Sequence, residues 1–161
     1  MKLKKCWATK MFTTVRYFVK TSIIFLILGI STGLYMSFAK NVFEIGYGYD
    51  LVSAHTHVIL IGSVMMMIMG VALWFFPRAE KKDKRYNPDL ILIVYWMMTT
   101  ATALRFISQA ALSFYFVRWL NVIVTIASTL QVIAMTLFFY SMWGRIRPVG
   151  SQYREAKGEK F

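Results

Sequence analysis

The chain has 161 residues, 58% of them hydrophobic, with a formal net charge of +12, three prolines and one cysteine. So much apolar surface exceeds what a soluble domain of this length buries, which leaves lipid as the solvent. The single cysteine, Cys6, excludes an intrachain disulfide, and basic residues clustered between apolar blocks fit membrane flanks and not a nucleic-acid-binding face.

Residues 1–20, MKLKKCWATKMFTTVRYFVK, mix Lys and Arg with Trp7, Phe12, Tyr17 and Phe18, as in a basic interfacial segment lying along a membrane surface. A basic start before an apolar run also suits a signal peptide, but the run is long and no small-x-small cleavage site comes after it. The first span is expected over residues 21–38, where Gly29 and Gly33, four apart, share a face that permits close helix contact. A short loop, KNVFEIGYGYD, leads to a second span over 51–76, which Pro77 stops. The basic loop PRAEKKDKRYNPD precedes a third span over 89–111. A turn around SFYFVR leads to a fourth over 119–143, ended by Gly144 and Pro148. Each block is about long enough to cross a bilayer. The fold class is therefore all-α and integral to the membrane, a four-helix transmembrane domain over 21–143 with a polar tail over 144–161.

Lysine and arginine gather in the N-terminal segment, the loop after Pro77 and the tail, while the two other loops carry little beyond Lys40 and Arg118. The positive-inside rule then puts both termini in the cytoplasm and the start of the second span at the outer surface. That start holds the only histidines of the chain, His55 and His57. At 1.5 Å per residue His55 lies about 6 Å below the outer boundary. Two residues of separation amount to about 200° of helical rotation, so the rings point to opposite sides at one depth. They are poorly placed to share one metal and well placed to bind two different ones. A single histidine here is readily explained by a hydrogen bond to a neighbouring helix or by snorkelling, whereas two at opposite azimuths need two separate polar solutions.

The stretch AHTHVILIGSVMMMIMGVALWFFPR, residues 54–78, resembles the tenth helix of the large subunit of heme–copper oxidases. That helix carries His-x-His, a central small residue, a later Gly, an aromatic pair and Pro. The matching positions here are His55, His57, Gly62 or Ser63, Gly70, Trp74-Phe75-Phe76 and Pro77. In the family the first histidine ligates the active-site heme and the second the electron-transfer heme. The resemblance is close over about 25 residues, counted on that stretch, and elsewhere extends only to architecture. The family's three copper-ligating histidines have no counterpart, so the chain is not expected to be an enzyme on its own or to hold copper. The family's subunit has twelve helices in three arcs of four, and this chain is one arc long, so the resemblance implies a homotrimer. Each interface would then offer His55 of one chain and His57 of the next to a shared bis-histidine heme b, suited to electron transfer.

The resemblance also gives Arg105 a role. It lies about 24 Å into the third span from the cytoplasmic boundary, close to the depth of His55. There it either pairs with a heme propionate or snorkels to lipid phosphate. Asn121, Thr125 and Ser128, with Gln131 beside them, form a polar stripe on the fourth span. They are expected to make interhelical hydrogen bonds, the alternatives being a quinol site or support for an imidazole. Met65, Met66, Met67 and Met69 are expected to pack, since a copper site would need polar neighbours at that depth.

The sequence thus leads to a multi-pass protein of the cell inner membrane that binds heme b and moves electrons. The alternative is a heme-free structural or accessory subunit of a respiratory complex. A third reading, a minimal oxidase or nitric-oxide-handling protein, is disfavoured by the absent copper ligands. Nothing in the residues names the redox partner.

Overall fold

The computed structural model describes residues 2–76, 87–115, 117–146 and 157–158, with side chains from residue 13 onward. The basic loop after Phe76, most of the C-terminal tail, and the side chains of residues 1–12, Cys6 included, lie outside the described residues. Among the described residues every regular element is helical. Four helices are long and apolar enough to cross a membrane, in agreement with the four apolar blocks of the sequence.

Helix α1 runs without a break over Lys2–Asn41, and among the described residues its apolar span covers Thr13–Asn41. Residues 13–20 therefore do not lie apart from the bundle. Thr14, Phe18, Ser22 and Phe25 form a buried stripe at helical spacing, while Arg16 and Lys20 stay exposed on another face. In residues 13–20, Arg16 and Lys20 thus occupy the outer side of a helix whose inner side joins the core.

Helix α2 covers Tyr49–Phe75 in three parts: an α-helical segment Tyr49–His57, a π-helical segment Val58–Met65, and an α-helical segment Met66–Phe75. Helix α3, Pro88–Phe114, starts on a strong cap. The Asp89 amide donates to Asn87 Oδ1 at 2.9 Å, Pro88 sits in the first turn where no N–H is needed, and Asp89 adds a favourable charge there. Helix α4, Arg118–Met142, continues into a 3₁₀ turn, Trp143–Arg145.

Helix α1 packs on α2, α4 packs on α3, and α3 also contacts α1 and α2. The main core lies in the half of the bundle away from the histidines, where Phe18, Met66, Met69, Leu73, Tyr95, Met98, Phe138 and Met142 are nearly or wholly buried. Phe18 meets Tyr95 edge-on at 5.3 Å, and Thr21 Oγ1 lies 2.8 Å from Tyr95 Oη, which satisfies a polar tip inside the bundle. Met66 and Met69 are core packing, and Met67 Sδ accepts from Ser22 Oγ at 3.7 Å. The outer faces are as apolar as the inside. Ile27 is 59% exposed and Ile126 63%, an arrangement stable only if hydrocarbon covers them.

Candidate functional site

Both histidines sit in the last turn of the first α-helical segment of α2, just before its π-helical segment. A π segment closes i→i+5 bonds, widens the turn and resets the azimuth of the residues beyond it, and such segments cluster at functional sites. The two rings face opposite neighbours, as their 200° separation requires. His55 turns to α1, where Nδ1 lies 2.9 Å from the carbonyl oxygen of Gly29. His57 turns to α3, where Nε2 lies 2.8 Å from Arg105 Nη2.

The glycine pair of α1 makes the His55 side possible. A Cβ on Gly33 would stand 2.8 Å from His55 Cε1, and one on Gly29 would collide with Ile59 Cγ1. The absence of side chains at both positions lets α1 lie directly against α2, so that a backbone carbonyl reaches the imidazole.

The hydrogen bonds place a proton on Nδ1 of both rings. A carbonyl oxygen only accepts, so His55 Nδ1 carries a proton. His57 Nδ1 lies 2.8 Å from the Ser53 carbonyl oxygen, which again requires Nδ1–H, with Ser53 Oγ at 3.3 Å beside it. Arginine only donates, so His57 Nε2 must be the unprotonated acceptor. Both rings therefore carry Nδ1–H, and in His57 the arginine makes Nε2 the acceptor. Among the described residues His55 Nε2 has no hydrogen-bond partner, whereas His57 Nε2 is capped by the guanidinium.

A polar network extends from His57. Arg105 Nη1 donates to Gln131 Oε1 at 3.2 Å, and Gln131 Nε2 donates to Thr102 Oγ1 at 2.9 Å. On the other side Gln109 Nε2 donates to Ser53 Oγ at 2.9 Å. Thr102, Gln109 and Gln131 are buried, and Arg105 Nε and Gln109 Oε1 are buried without partners. Arg105 thus neither snorkels outward nor meets an acid among the described residues. It lies between helices, against a histidine and a glutamine.

Of the fourth-span polar residues, only Gln131 bridges helices. Thr125 Oγ1 donates to Asn121 O at 2.9 Å and Ser128 Oγ to Val124 O at 2.6 Å, both within their own helix. These hydroxyls are satisfied one turn back, which corrects the expectation of interhelical bonds for Thr125 and Ser128, while Asn121 enters only through its backbone carbonyl. Ser53, Thr102 and Gln109 were not singled out from the sequence, although Thr102, Arg105 and Gln109 recur at helical spacing along one face of α3.

The two imidazoles share one posture. Each has Nδ1–H anchored on a carbonyl, the outer-shell contact that orients metal-binding histidines and makes Nε2 a better donor. Among the described residues no three His, Cys, Asp or Glu side chains gather, so neither ring belongs to a clustered metal site there. The chain matches no protein family, no curated protein and no solved structure.

Proposed function

We propose that the protein binds heme b through His55 and His57 and carries electrons in the cell inner membrane, as a homotrimer with both termini cytoplasmic. The observation that carries this reading is the shared posture of the rings: two Nδ1–H imidazoles on opposite sides of one membrane helix, each anchored to a carbonyl. Because the rings diverge, each interface between copies would combine His55 of one chain with His57 of the next. Bound between them, heme b would supply a one-electron couple with both axial positions filled. The resemblance of residues 54–78 to the His-x-His helix of heme–copper oxidases supports the same assignment. Arg105 would then face a propionate.

The test is the visible spectrum of the protein purified from heme-sufficient cells. Sharp reduced bands of a six-coordinate low-spin heme are expected, and a colourless preparation that takes up no added heme overturns the reading.

One observation favours the second reading, a heme-free structural subunit. Both nitrogens of His57 already have partners within the chain, in a network that ends on buried Thr102. On that reading His57 serves packing specificity alone, and His57→Gln leaves the protein's assembly with its neighbours unchanged.

A further inference from the structure

Arg105 is a cation inside a membrane span with no counter-charge among the described residues. Its two acceptors, His57 Nε2 and Gln131 Oε1, are both neutral, and its Nε is buried without a partner. The acidic residues among those described are Glu44, Asp50 and Asp89, one in a loop and two in the first turns at the very ends of spans, and none of them bonds to Arg105. Charges in hydrocarbon are normally paired, and a guanidinium is shaped to hold a carboxylate with two parallel bonds. Arg105 instead spreads its two terminal nitrogens over two weaker acceptors. One of these is the lone pair that His57 would need for iron.

We infer that Arg105 is an exchangeable cap on His57: it occupies Nε2 until a carboxylate carried by the incoming ligand takes the guanidinium, and only then is His57 free to ligate. The carboxylate part rests on the heme reading above; the cap itself does not. Arg105 is on this view a positioning residue that couples recognition of the ligand's acid groups to ligation by the imidazole. A neutral metal-bearing ligand would meet a His57 that remains blocked, while His55, whose Nε2 has no competitor among the described residues, would bind it regardless.

Two measurements on the full chain in detergent test this. The first adds either heme b or its dimethyl ester, in which both propionates are masked. Heme b should become six-coordinate, and the ester should stay five-coordinate on His55 in the wild type. In Arg105→Leu the ester should become six-coordinate, because the cap is gone, a gain that simple structural damage does not produce. An ester that is six-coordinate in the wild type overturns the cap, and that arm needs no variant to fold. The second measurement uses no heme. Carbethoxylation of imidazole nitrogens by diethyl pyrocarbonate is followed by mass spectrometry, with His55 as the internal reference. Removal of one charge-assisted bond corresponds to about a tenfold or greater rise in the relative rate at His57 in Arg105→Leu. If neither porphyrin binds but the rate rises, the heme reading fails and the cap stands. If the rate at His57 is unchanged, the cap fails.

Discussion

Arg105 Nη2 lies 2.8 Å from His57 Nε2, and this contact determines which nitrogen of the ring holds the proton. Arginine cannot accept, so the proton sits on Nδ1, where the Ser53 carbonyl receives it at 2.8 Å. Nitrogen-15 spectra of the heme-free protein should therefore show His57 as the Nδ1–H tautomer, with His55 in the same form because of Gly29 O. An Nε2–H signal from His57 would contradict the contact.

Gly33 leaves room for the His55 ring, and its replacement should be felt there. Gly33→Ala puts a methyl 2.8 Å from His55 Cε1, so ring or helix must shift and the bond to Gly29 O lengthens. Loss of one part-buried hydrogen bond costs about 1–3 kcal/mol. We expect heme affinity to fall about tenfold or more in titrations of Gly33→Ala, as that energy implies. Gly46→Ala, where a Cβ meets nothing within 4 Å, should titrate like the wild type and serves as the control.

Much of this architecture is legible in the sequence because hydrocarbon imposes a simple rule: backbone polar groups must be satisfied inside each segment, so long apolar runs become helices. The opposed azimuths of His55 and His57 and the shared face of Gly29 and Gly33 follow from helical geometry alone. Other features depend on tertiary contacts that no period encodes. The pairing of His57 with Arg105, 48 residues apart, joins two helices whose register is set by packing around Gly62, Phe25 and Thr102. The π segment Val58–Met65 is composed of ordinary apolar residues, so its i→i+5 pattern leaves no mark in the spacing. Polar residues misled where a hydroxyl can bond one turn back, as Thr125 and Ser128 do. In residues 13–20, Arg16 and Lys20 hide the buried stripe that passes through Phe18.

Arg145 shows the same limit at the other end of the bundle. The sequence assigned it to the polar tail, yet it is 2% exposed. Its Nη2 donates to Leu73 O at 3.0 Å and Phe76 O at 2.9 Å, satisfying carbonyls at the end of α2 that lack intrahelical partners. Arg145→Leu should lower stability by roughly 2–4 kcal/mol, seen as a fall in the thermal midpoint in detergent. Arg145→Lys should recover only part of it, since an ammonium lacks the planar fork. An unchanged midpoint in the leucine variant would mean that water serves those carbonyls equally well.

The orientation in the membrane rests on where lysine and arginine gather. Reporter fusions at Phe161 should be active as cytoplasmic fusions, and fusions within residues 41–49 as external ones. An external C-terminus would move both histidines to the cytoplasmic leaflet and remove the depth relation between His55 and the outer surface.

The shared heme is the centre of the account, and mixing two inactive variants tests it most directly. His55→Ala and His57→Ala each remove one ligand from every proposed interface, so each alone should lose the six-coordinate spectrum. Co-expressed, the two chains rebuild an intact His55 and His57 pair at those interfaces where the His57→Ala chain supplies His55 and the His55→Ala chain supplies His57. The account predicts partial return of the bis-histidine spectrum in the mixed oligomer. A normal six-coordinate spectrum in either single variant, or no recovery in an oligomer shown to contain both chains, would contradict it.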